Sequence, residues 1–136
     1  MSLNAGANTS DNKHTVVIVG GGAAGISVAS SLHKRDRSLD IAVVEPTSTH
    51  HYQPGWTMVG GGVFRPEVTS RPMKEVMPSF VSWYQQKVLS VEPEQNRIQL
   101  ADGSWLAYET LVLAPGLELN WGAIEGLEET LGQNGV

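Results

Sequence analysis

The feature that most constrains this chain is a β-branched run that stops on glycines and restarts as a helix. Thr15-Val16-Val17-Ile18-Val19 is continuous and β-branched, the pattern of a strand covered on both faces. Gly20-Gly21-Gly22 ends it. Beyond the glycines, Gly25, Val28, Ala29 and Leu32 fall on one helical stripe, while Ser27, Ser30, Ser31 and Lys34 take the other side. Lys34 and Arg35 close that helix where positive charge suits its dipole. Ile41-Ala42-Val43-Val44 then reads as a second buried strand, ending at Glu45-Pro46. Strand, helix and strand in this order make a βαβ unit of about 30 residues, right-handed by the general rule.

Each glycine of Gly20-x-Gly22-x-x-Gly25 has a physical task. Gly20 allows a tight turn, Gly22 lets a pyrophosphate approach the backbone, and Gly25 lets the helix press on the sheet. The helix N-terminus then offers free N–H groups and a positive dipole end to phosphates. Glu45 lies 20 residues after Gly25, where a carboxylate would accept hydrogen bonds from both hydroxyls of a ribose. An acid there disfavours a 2′-phosphate, hence NADP. A ligand-free glycine turn is the competing reading of the bare pattern; the strand, helix, second strand and terminal acid in sequence favour a dinucleotide. The fingerprint fits FAD and NAD alike.

The rest of the chain is organised differently. Residues 46–62 read as loop, with a short helix or turn between Trp56 and the Gly60-Gly61-Gly62 run. Arg71 to Met77 predicts one helix, stopped by Pro78. Phe80–Tyr84, Lys87–Val91, Arg97–Leu100 and Ser104–Tyr108 predict the short strands of an antiparallel meander, with Asp102-Gly103 as a two-residue hairpin turn. Thr110–Ala114 predicts a further buried strand, broken by Pro115-Gly116. The tail from Glu118 is acidic and poorly patterned. The expected fold class is α/β: a Rossmann-like FAD/NAD(P)-binding βαβ unit with a small antiparallel meander, forming an incomplete domain. Residues 1–13 are expected to be a disordered lead-in, and 14–136 the domain itself.

A net charge of −5 gives no basic footprint for nucleic acid and no polybasic patch for a membrane surface. The uncharged stretch from Pro46 to Phe64 is broken by Pro, Gln, Thr and glycines and is no transmembrane segment. Nothing in the stretch is an anchor, so a soluble piece is expected. The chain has no cysteine, so it carries no thiol redox centre of its own.

Tyr108-Glu109-Thr110-Leu111-Val112-Leu113-Ala114-Pro115-Gly116 is a strand ending in Ala-x-Gly. With the βαβ unit and the meander before it, the chain resembles the FAD-dependent pyridine nucleotide–disulfide oxidoreductases from about Thr15 to Gly116. Val44-Glu45-Pro46 and His51-Tyr52-Gln53-Pro54-Gly55-Trp56-Thr57-Met58-Val59-Gly60-Gly61-Gly62 give the most specific likeness, to the sulfide:quinone oxidoreductases. The resemblance implies that Gly20, Gly22, Ala23, Ala24 and Gly25 face the FAD pyrophosphate and that Glu45, followed by Pro46, meets the adenosine ribose. It implies that Tyr52, Gln53 and Pro54 lie near the flavin, that the Val88 backbone touches adenine, and that Ala114 and Gly116 lie against the cofactor from the other side. For the full-length enzyme it implies sulfide oxidation, FAD, a quinone acceptor and a peripheral position on a membrane. Such enzymes run to several hundred residues and use cysteines, so the chain alone is expected to be inactive. An NADH:quinone oxidoreductase sharing the FAD unit and a plain NAD-binding domain are the alternatives. An open sheet edge is expected to favour a homo-oligomer.

Other conspicuous residues have plainer expectations. His50 and His51 are adjacent and make a poor metal site. His14 and His33 are expected at the surface. Phe64, Met73 and Met77 are expected in the core, and packing is the default for Trp56, Trp83, Trp105 and Trp121, with Trp56 a candidate for a cofactor or quinone pocket through the resemblance.

Overall fold

The computed structural model describes residues 12–133 and Gly135. Most of the expected lead-in lies outside the described residues, but Asn12 and Lys13 already belong to the first strand, β1 (Asn12–Val19). Helix α1 (Ala23–Arg35) follows the glycine turn, and β2 (Ile41–Val44) completes the βαβ unit. The connection to the meander folds as β3 (Thr49–His51), a 3-10 turn at Gln53–Gly55, α2 (Trp56–Gly60), a second 3-10 turn at Pro66–Thr69, β4 (Ser70–Pro72) and α3 (Met73–Val76). Then come β5 (Ser82–Tyr84), β6 (Val88–Glu92), β7 (Arg97–Leu100) and β8 (Trp105–Leu113). The tail adds a 3-10 turn at Trp121–Ala123 and the one-turn α4 (Leu127–Thr130).

Six strands form one sheet in the order β5-β2-β1-β8-β7-β6. β5, β2, β1 and β8 run parallel; β7 and β6 are antiparallel to their neighbours. β1 is central, pairing Val16 to Val19 with Ile41 to Val44 on one side and with Thr110 to Leu113 on the other. Both of its faces are buried, which accounts for its unbroken β-branched sequence. Val16 and Ile18 join Ala29, Ile41 and Val43 in a cluster beneath α1, to which Val28 and Leu32 add from the helix. Val17 joins Ala42, Val44, Ile98, Leu100, Leu106 and Tyr108 on the opposite face. Ile98 and Leu100 of β7 share that cluster with β2, three places away in the sheet, so the meander curls back over it.

Several expectations are corrected. Phe80–Tyr84 is no meander strand: only Ser82–Tyr84 is extended, and it pairs in parallel with β2. The helix expected over 71–77 is confined to Met73–Val76, because Arg71 and Pro72 pair with His50 and Thr49 in the β3–β4 ribbon. The strands expected at 104–108 and 110–114 are one nine-residue strand. Its N-terminal part serves the antiparallel meander and its C-terminal part the parallel sheet. The β7–β8 turn is a three-residue loop, closed by Leu100 N–H to Ser104 O at 2.9 Å, with Gly103 at φ +85° supplying the left-handed residue.

His14 and Phe64 depart from their expected environments. Only 8% of His14 is exposed; its Nδ1 lies 2.9 Å from Asp40 Oδ2 and its Nε2 2.8 Å from the Tyr84 hydroxyl. These contacts tie β1 to the start of β2 and to β5. Burial pushes the Tyr84 phenol up from its ordinary value. His33 is half-buried and stacks on Phe80 with centroids 3.8 Å apart. Met73 is buried and Met77 packs against the α1 cluster, but Phe64 is exposed.

Candidate dinucleotide-binding site

The C-terminal ends of β1, β2 and β8 and the N-terminus of α1 meet at one edge of the sheet. That is where an open α/β sheet binds ligands. Gly20 N–H donates to Val44 O at 2.9 Å, and Ala114 N–H donates to Val19 O at 2.8 Å, so the three strand ends are stitched together. Gly20 adopts φ +103°, and a Cβ on it would overlap the Ala114 carbonyl oxygen. A Cβ on Gly25 would overlap the Gly20 carbonyl oxygen, so that glycine lets α1 seat against the turn.

Gly22 differs from both. It caps α1 with an extended backbone (φ −71°, ψ −172°), and a Cβ there would meet no protein atom within 4 Å. The space in front of it is therefore open to a ligand. No side chain caps α1, and its first turn carries no acid, so the leading N–H groups are available to an anion. This backbone cradle fits a pyrophosphate.

Glu45 sits at the tip of β2, half-buried, with its carboxylate held in place. Gly21 N–H donates to Oε2 at 2.8 Å, while Thr47 N–H and the Thr47 hydroxyl donate to Oε1 at 2.8 and 2.7 Å. Trp83 Nε1–H donates to the Glu45 carbonyl at 2.9 Å, fixing the backbone from the β5 side. Thr47 was not singled out from the sequence, although a hydroxyl two residues beyond a strand-end acid is a local signal.

Most of the candidate residues line a continuous groove. A cleft of about 310 Å³ is bounded by Gly20, Glu45, Pro46, Thr47, Gln86, Lys87, Val88 and Pro115. A second, of about 350 Å³, is bounded by Gly22, Ala23, Ala24, His51, Gln53, Pro54, Ala114 and Gly116. Between them Gly22, Glu45, Thr47, Ala114 and Gly116 line a common recess. Gly25 is buried behind the turn. Tyr52 lines a neighbouring cavity of about 250 Å³ with His50, Val68, Thr69 and Arg71, which shares His50 with the recess. Trp56 lines none of these and packs edge-on to His51 at 6.3 Å. Gln86 and Lys87 were also missed. Gln86 is placed by hydrogen bonds to Asp102, 16 residues away, which no local pattern announces.

The fold and the strand-end groove define a Rossmann-type dinucleotide-binding protein. A family model for pyridine nucleotide-disulphide oxidoreductases matches residues 14–135, and the chain belongs to that family. Within it, the chain is related to the sulfide:quinone oxidoreductases through their N-terminal FAD-binding region. It is 45% identical over 126 residues to the mitochondrial sulfide:quinone oxidoreductase of Dictyostelium discoideum, covering 92% of this chain and 28% of that protein. The mouse mitochondrial enzyme is 37% identical over 121 residues, covering 89% of this chain and 27% of its own length. The crystal structure of the Aquifex aeolicus sulfide:quinone oxidoreductase superposes with a TM-score of 0.72 at 28% identity, over 87% of this chain and 27% of that one. The chain thus spans little more than a quarter of the relatives it matches.

Proposed function

We propose that the groove holds FAD and that the chain is the cofactor-binding part of a sulfide:quinone-type oxidoreductase. In this reading the FAD pyrophosphate lies against the Gly20–Gly25 turn and the backbone N–H groups of Ala23 and Ala24. The adenosine ribose meets Glu45 beside Pro46, and adenine enters the cleft at Val88. Gln53, Pro54, Ala114 and Gly116 flank the course towards the flavin, with Tyr52 on the outer side of that loop. The observation that carries the reading is the open space before Gly22, continuous with the recess that contains Glu45. Held there, the flavin would supply the redox chemistry between sulfide and a quinone. With no cysteine in these 136 residues, sulfur chemistry on thiols would need residues from a longer polypeptide, and the chain by itself would be inactive.

Titration of the purified chain with FAD and, separately, with NADH, followed by ligand fluorescence, tests the assignment. FAD binding tighter than NADH, weakened about tenfold by Glu45→Gln through loss of a charged acceptor, is the expected result. Binding of NADH with no response to FAD would replace the proposal with a plain NAD-binding domain.

A further inference from the structure

We infer that Thr47 is a second reader of the adenosine ribose, sharing the diol with Glu45; the inference rests on the FAD reading of the groove. A carboxylate oxygen has room for two hydrogen bonds. Oε1 of Glu45 already accepts two, from the Thr47 N–H and the Thr47 hydroxyl, while Oε2 accepts one, from Gly21 N–H. A single acceptor position on Glu45 remains for the groove, and a ribose presents two hydroxyls. The Thr47 hydroxyl has given its only proton to Glu45, at 2.7 Å, its longer 3.3 Å approach to the Thr49 carbonyl being the weaker alternative. Its oxygen keeps acceptor capacity, and Thr47 lines the same cleft and the same recess as Glu45. One ribose hydroxyl therefore donates to Glu45 Oε2 and the other to Thr47 Oγ1. The charge on the carboxylate polarises the threonine hydroxyl between them and makes its oxygen a better acceptor.

Thr47→Val removes the hydroxyl, keeps the shape and leaves the backbone N–H to Glu45 in place. Thr47→Ser keeps the hydroxyl. Both variants would be compared with the wild-type chain by calorimetric titration of FAD and of its 2′,3′-dideoxyadenosine analogue, which lacks the diol, after melting curves establish that each is folded. Expected are an FAD dissociation constant raised about tenfold by valine, one within about twofold of wild type for serine, and equal affinities of wild type and valine for the dideoxy analogue. Unchanged FAD affinity in the valine variant would overturn the inference while leaving the FAD reading intact. An equal penalty for FAD and for the dideoxy analogue would also overturn it, since Thr47 would then act on the shape of the groove and not through the diol. A wild-type chain that binds no FAD would overturn the reading of the groove and this inference with it.

Discussion

Two glycines in one motif do different work, and their variants should separate stability from binding. Gly20 combines φ +103° with a Cβ position inside the Ala114 carbonyl. Gly20→Ala should therefore cost more than about 2 kcal/mol of stability, read as a shifted midpoint in urea. Gly22 has a backbone conformation that alanine adopts freely, and open space at its Cβ. Gly22→Ala should stay within about 0.5 kcal/mol of wild type in the same experiment and yet weaken FAD binding, because the methyl group would occupy the pyrophosphate's place. Equal loss of stability in both would show that Gly22 is a packing residue. The tight turn at Gly20 was legible in the sequence because the strand, the glycines and the helix lie within one βαβ unit. His14 was not: its partners, Asp40 and Tyr84, are 26 and 70 residues away, and a lone histidine at the start of a strand carries no local sign of them.

At the scale of elements, strong periodicity was read correctly and shared roles were not. β1, α1 and β2 follow from their patterns, and Arg97–Leu100 has its expected bounds. The strands expected at 104–108 and 110–114 part at the charged Glu109; in the fold Glu109 and Thr110 are simply exposed where β7 has ended and β1 still pairs. The β7–β8 loop offers a pH test. The Asp102 carboxyl is held down to about 2 by hydrogen bonds from Gln86 first, and then from the Ser104 hydroxyl and N–H. A carboxyl whose folded value is depressed contributes stability above its unfolded value of about 3.9, lost as pH falls through the folded value. Asp102→Asn should therefore lower the melting temperature at pH 7, with the difference from wild type shrinking between about pH 4 and pH 2. A difference that persists unchanged at pH 2 would assign the effect to loop conformation rather than ionisation. Met73, 2% exposed, anchors α3 by donating its N–H to Ser48 O at 2.7 Å. Met73→Ala should cost about 2–5 kcal/mol, measured by denaturant unfolding.

For the whole molecule, the sheet's outer pairing matters most. β7 pairs with β8 only from Trp105 to Ala107, so among the described residues the far edge of the Thr110–Leu113 segment has no strand beside it, and Leu113 is 60% exposed. An unpaired parallel edge invites another strand, so self-association of the chain through it is the expectation to test. Sedimentation velocity should show a dimer population growing with concentration and reduced by Leu113→Lys; a monomer throughout the accessible range would contradict this. Among the described residues no helix is long and apolar enough to cross a membrane. The central claim is that the strand-end groove is an FAD site, and the direct measurement is the visible absorption spectrum of the purified chain after incubation with FAD and exhaustive dialysis. A retained flavin band, absent from a Gly22→Val variant that melts like wild type, is the predicted result. A folded wild-type chain left colourless by the same incubation and dialysis would contradict it.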